Sequence, residues 1–155
     1  MATRLQVKQL SVVTDIREMR LQRLLTEAIV ALEMAESELG LARERLTRCT
    51  HDKADAETDF AKAPSDEIVR IWRDVCVARF VEAETAMENA QFECDDAQTR
   101  LVKARVDVIR IKERGTKVAD LGSELRRSEL RLIEARLEDD VPARCGNSPI
   151  MEGIR

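Results

Sequence analysis

The segment Phe60 to Val69, FAKAPSDEIV, holds Pro64, the sole proline between Met1 and Asp140. Proline lacks a backbone donor and pushes the residue before it out of the α region, so a helix must end near Ala63. Ser65 suits the N-cap of a second helix, with Asp66 and Glu67 in its first turn, where negative charge favours the dipole. Outside this segment, only Gly40, Gly115 and Gly122 break the helical composition before Asp140. Two helices much longer than an ordinary globular helix are therefore predicted.

Working outward, alternating steps of four and three residues from Leu21 give Leu21, Leu25, Ala28, Leu32, Ala35, Leu39, Ala42, Leu46, Cys49, Lys53, Ala56, Phe60 and Ala63. After Pro64 the same stepping runs from Val69 through Arg73, Cys76, Phe80, Ala83, Met87, Ala90, Cys94, Ala97 and Leu101 to Ala104, Val108, Ile111, Gly115, Val118, Gly122 and Leu125. These are heptad seams. Folding one onto the other about Pro64-Ser65 makes facing residues those whose numbers sum to 129, such as Leu46 with Ala83, Leu39 with Ala90 and Leu25 with Ala104. In seven of the eight layers from Leu21–Val108 to Leu46–Ala83, a small residue opposes a larger one. Such matching fills the interior while letting the backbones approach.

The predicted fold is thus all-α: a single long antiparallel two-helix coiled-coil hairpin over residues 1–140. Helix 1 is placed at about 3–62, the turn at 63–65 and helix 2 at about 66–139. At about 1.5 Å per residue the hairpin would be roughly 90 Å long. Residues 141–155, with Pro142, Pro149, Gly146 and Gly153 and no periodicity, read as a disordered tail.

Three features depart from a regular seam. Lys53 and Arg73 fall on it, opposite Cys76 and Ala56, and are expected to lay their stems along the groove with their heads in water. Ile68, Ile71, Trp72 and Val75 form a second apolar stripe on helix 2, which is either a docking surface or the reason for a tip that curls inward over Trp72. Near the chain start, Leu5, Val12, Ile16 and Met19 lie about one residue out of phase with the seam. That phase shift suggests a coiled-coil discontinuity or a face turned toward a partner. Gly115 and Gly122 on the seam suggest close approach or a local bend.

Composition narrows the function. No apolar run exceeds five residues, which excludes a transmembrane helix and predicts no direct membrane insertion and a cytoplasmic protein. Cys49, Cys76, Cys94, Cys145 and the single His51 lack metal-ligand spacing, so reduced thiols, no metal and no cofactor are expected. The ERGTK stretch at Glu113–Lys117 lacks the upstream glycine and strand of a phosphate-binding loop. A two-helix hairpin also offers no water-excluding pocket, so no enzymatic activity is predicted. Charge is segregated: residues 1–23 and 100–131 carry +3 and +5, residues 24–99 carry −10 and residues 132–155 carry −2, which together give −4. The +8 could suit nucleic acid, but the acidic chain and the lack of stacking aromatics there argue against it, and no nucleic acid is expected.

The early basic-apolar segment RLQVKQL (Arg4–Leu10), a turn before mid-chain, and a Trp shortly after it in EIVRIWRDV (Glu67–Val75) resemble the central-stalk family of type III secretion. That family comprises the flagellar FliJ and the injectisome YscO-type proteins, and the injectisome branch is the more similar. The resemblance covers roughly residues 4–140 and implies a non-enzymatic stalk at the cytoplasmic face of a secretion apparatus. Its joined chain ends would enter a hexameric secretion ATPase, through Arg4, Lys8, Arg110, Lys112, Arg114 and Lys117. Its tip, with Phe60, Ile68, Ile71, Trp72 and Val75, would meet the export-gate membrane protein or export chaperones. When free the chain would be a monomer. The alternatives are a homo-oligomeric scaffold paired through Leu24, Val30, Val102 and Val106, and a coiled-coil chaperone-like adaptor.

Overall fold

A computed structural model describes residues 3–139, and the predicted tail lies outside the described residues. Two helices account for nearly all of them: α1, Arg4–Lys62, of 59 residues, and α2, Glu67–Asp139, of 73 residues. No strand occurs among the described residues. The described residues group into two compact units, a terminal unit of residues 3–15 and 113–139 and a turn unit of Ile16–Lys112.

Local chemistry sets the helix ends. Thr3 and Gln6 form a reciprocal capping box: Gln6 N donates to Thr3 Oγ1 at 3.3 Å and Thr3 N donates to Gln6 Oε1 at 2.9 Å. Between the helices, Asp66 N donates to Ala63 O at 3.1 Å, closing a turn with Pro64 at its second position. The cap of α2 is Asp66, not the expected Ser65. Its Oδ1 accepts from Ile68 N at 2.9 Å and Val69 N at 3.4 Å. A carboxylate satisfies two orphan amides and also meets the positive end of the dipole, so it outcompetes a neighbouring hydroxyl.

In the turn unit, every α1 seam position from Leu21 to Phe60 is buried or half-buried, and so is every α2 seam position from Val69 to Ile111. Ala56 and Ala83 are wholly buried, Cys76 is 1% exposed, and Leu39, Leu101, Val108 and Ile111 are buried with them. Side-chain contacts between the helices pair rising numbers on α1 with falling numbers on α2. Arg43 Nη2 donates to Gln91 Oε1 at 2.9 Å, Lys53 Nζ lies 4.5 Å from the centroid of Phe80, and the Arg73 guanidinium lies 4.1 Å from that of Phe60.

The last two contacts refine the reading of the charged seam positions. Lys53 and Arg73 do lay their stems along the groove, with side chains about a third exposed. Their heads, however, settle over aromatic rings of the opposite helix, one contact in each direction. Arg73 also donates through Nε and Nη2 to Asp74 Oδ1 at 3.1 and 2.7 Å. A cation over a ring retains much of its hydration, so two charges near the seam cost little there.

In the terminal unit the seam continues in phase. Val7 is buried and Ser11 and Thr14 are half-buried, facing half-buried Gly115, Val118 and Gly122. A methyl built on Gly115 would lie 3.6 Å from Thr14 Cγ2, and one on Gly122 would lie 3.4 Å from Val7 Cγ1. Both pairs sum to 129. Of the two readings of the phase shift, a discontinuity is not seen within this unit. Polar Ser11 and Thr14 occupy the seam, while Leu5 and Val12 stay 67% and 51% exposed. Both methyls would meet ordinary contact distances, so close backbone approach does not demand either glycine.

Candidate partner-docking surfaces

Asp66 caps the first turn of α2, and the four residues Ile68, Ile71, Trp72 and Val75 follow at i, i+3, i+4 and i+7. Spacing of this kind places them on one face of the helix. Their exposures are 78%, 55%, 44% and 37%, so α1 does not cover this face and the tip does not curl over Trp72. The seam face of the same turns, Val69, Arg73 and Cys76, carries the packing instead. The Arg79 guanidinium lies 5.8 Å from the Trp72 ring centroid, one helical step beyond the stripe. A surface of this kind has an aliphatic floor, one aromatic anchor and a cation at its edge, which is the chemistry of a protein contact.

Phe60 stands apart from that stripe. It is half-buried on the α1 seam beneath Arg73, so it supports the packing behind the surface and does not line it. Sequence spacing placed Phe60 near the tip, and only the cation over its ring shows which way it is used.

The six basic candidates divide between the units. Arg4, Lys8, Arg114 and Lys117 belong to the terminal unit, and Arg110 and Lys112 to the turn unit; all six are exposed. Arg4 Nη1 meets Glu129 Oε2 at 3.5 Å, an exposed pair contributing little on its own. Arg4 and Lys8 flank a groove of about 370 Å³ with Arg126, floored by Val7, Val118 and Leu125 beside Gly122. Arg126 was not among the sequence candidates, although its place four residues after Gly122 marks it: its Nε donates to Gly122 O at 3.2 Å.

Net positive charge lies elsewhere than the sequence grouping suggested. The described residues of the terminal unit, 3–15 and 113–139, hold eight basic and eight acidic side chains, so their sum is zero. Residues 16–23 and 100–112 of the turn unit hold Arg17, Arg20, Arg23, Arg100, Lys103, Arg105, Arg110 and Lys112 against Glu18 and Asp107, which gives +6. The acids responsible for neutrality, Glu134, Glu138 and Asp139, close α2.

Burial pushes the Cys76 thiol above its usual value, with the negative charge of Asp52 adding to the rise, so the thiol stays protonated at neutral pH. His51 is exposed on α1. Among the described residues, no three His, Cys, Asp or Glu side chains are placed to hold a metal ion, and no helix is long and apolar enough to cross a membrane. No family model, curated protein or solved structure shows significant similarity to this chain.

Proposed function

We propose that this chain is a non-enzymatic adaptor, an antiparallel coiled coil that docks a partner protein through the face formed by Ile68, Ile71, Trp72 and Val75. The observation that carries the reading is the exposure of these four side chains on a helix whose opposite face is packed. Leaving a tryptophan and two isoleucines in water on a rigid, capped helix start has a cost that a partner's apolar surface would relieve. Pairing of the two helices as a coiled coil in the sum-129 register is supported by the burial of the seam and by the Thr14–Gly115 and Val7–Gly122 approaches.

The setting we propose is the central stalk of a type III secretion apparatus. The chain-end region would enter a hexameric secretion ATPase, and the Trp72 face would meet the export gate or export chaperones. Support comes from the resemblance of RLQVKQL and EIVRIWRDV to that family and from the helical architecture. Asymmetric insertion into a symmetric ring would promote ring assembly and pass sequential hydrolysis along the helices. Contacts to an acidic ring lining would fall on Arg4 and Lys8 and on the band of Arg110 and Lys112.

Titrating the chain into the secretion ATPase of the same organism tests this setting, with ring assembly and hydrolysis followed together. Stimulation of both, saturating near one chain per hexamer, is the expected result. Failure to bind at low salt would remove the stalk setting. The docking face is tested separately: Trp72→Ala should leave helicity and melting nearly unchanged while removing one partner interaction. A large loss of stability would instead make Trp72 part of the packing.

A further inference from the structure

α2 outruns α1. Arg4, the first residue of α1, reaches Glu129 on α2, and every residue from Leu130 to Glu138 is exposed, with Leu130, Ile133 and Leu137 themselves 58%, 52% and 62% exposed. This overhang is not polar all round, as a solvated helix end would be. Leu132, 60% exposed, continues the path of Leu125 and Glu129, whereas Leu130, Ile133 and Leu137 recur at i, i+3 and i+7. They form a stripe one position out of step with the Leu125-Glu129 path that faces α1.

The charges beside the stripe identify what would cover it. With Leu130 and Leu137 at heptad position a and Ile133 at d, Arg126 takes the preceding d, Arg127 and Glu134 take e, and Glu129 and Arg136 take g. In an antiparallel pair of such helices, a packs against d of the partner, and e meets e while g meets g. Apply this to two copies of the overhang. Leu130 then packs on Ile133 of the second copy, and the stem of Arg126 covers its Leu137. Arg127 meets Glu134, and Glu129, which also meets Arg4 of its own chain, lies beside Arg136; the twofold axis repeats both, so each flanking combination is of opposite sign. The same segment is therefore complementary to itself, as a twofold interface requires.

We infer that the overhang at the end of α2 is a self-association surface, at which two copies of this chain pair antiparallel through Leu130, Ile133 and Leu137. The dimer replaces the free monomer that the resemblance implies. Its overlap, Arg126 to Leu137, is only about 18 Å of helix, well below the area of a standard stable interface. Association is accordingly weak, concentration-dependent and weakened by salt, since the charged pairs that flank it are exposed. The inference does not rest on the secretion setting or on the Trp72 face, because the chain alone is sufficient for its test.

Sedimentation equilibrium of the full chain at low salt, from micromolar to submillimolar concentration, should show a monomer–dimer equilibrium that Ile133→Asp abolishes. Arg127→Glu and Glu134→Arg should each weaken it when examined separately, because each turns two attractive pairs into two repulsive ones. Mixing these two variants should restore association as a heterodimer: one copy then carries acids at both e positions and the other carries bases at both, so each e–e pair is again of opposite sign. All three variants should keep wild-type helicity, since their sites pair with no side chain among the described residues. A monomer at every concentration would overturn the inference. So would an association that survives Ile133→Asp, as pairing through Leu24 and Val102 would, or a mixture no tighter than its components.

Discussion

Exchanging the two members of one seam layer tests the register more sharply than removing either. Ala83 is wholly buried on α2, and Leu46, whose number completes the sum of 129, is half-buried on α1. Leu46→Ala removes three carbons, worth about 0.8 kcal/mol each if fully buried, and partial exposure reduces the loss to about 1–2 kcal/mol. Ala83→Leu adds the same volume to a site with no free space and should cost about 1–3 kcal/mol through displaced rotamers and backbone. If the two residues share a layer, the double exchange conserves its volume. The combined variant should then lie within about 1.5 kcal/mol of the parent, while the single losses sum to about 2–5 kcal/mol. Urea unfolding followed by far-UV circular dichroism, at concentrations where the chain is monomeric, supplies all four corners of the cycle. Strict additivity, with the double variant as unstable as the summed singles, would refute the register and with it the pairing of the seams.

Three further expectations follow from single residues. Gly115→Ala should stabilise the chain by up to about 1 kcal/mol, since the added methyl fits 3.6 Å from Thr14 Cγ2 and a helix gains from alanine; a lower melting temperature would refute this. Asp66→Ala removes the cap from Ile68 N and Val69 N and should cost about 1 kcal/mol, whereas Ser65→Ala should cost almost nothing; equal losses would restore Ser65 as the cap. Cys76 titrates above its ordinary value of 9.0 in the folded chain, so well below pH 9 both folded and unfolded thiols are protonated and no stability is lost. Above it the unfolded thiol ionises first, the unfolded state binds fewer protons, and stability falls as pH rises toward the folded value. Cys76→Ala should flatten that alkaline slope, measured as denaturation midpoint against pH, and an unchanged slope would assign it to another group.

What could be read from the sequence was periodic. One proline between two stretches nearly free of breakers, each with apolar residues at alternating steps of four and three, specifies helices and their buried stripe, because 3.6 residues per turn admits no other continuous face. Small-against-large matching about Pro64 then pointed to the layers, and the burial of Leu39, Ala56, Cys76, Ala83 and Leu101 follows that pattern. The Ile68–Val75 stripe was also visible, since it lies off the seam at helical spacing.

Tertiary structure decided what depends on competition between neighbours. Ser65 and Asp66 are both good caps by type, and only the backbone geometry at the turn selects the carboxylate. Lys53 and Arg73 interrupt the seam in one dimension, whereas in three each finds an aromatic ring on the facing helix, which the numbering of Phe60 and Phe80 does not announce. Near the chain start, the apolar count favours Leu5 and Val12, yet Val7, Ser11 and Thr14 hold the seam, because the phase is inherited from the long helix and not set locally. The length of the α2 overhang likewise depends on where α1 begins relative to Glu129, a relation between distant parts of the chain. Periodicity is local and survives in one dimension; partner choice, caps and ends depend on which groups meet, and that is settled only when the two helices lie against each other.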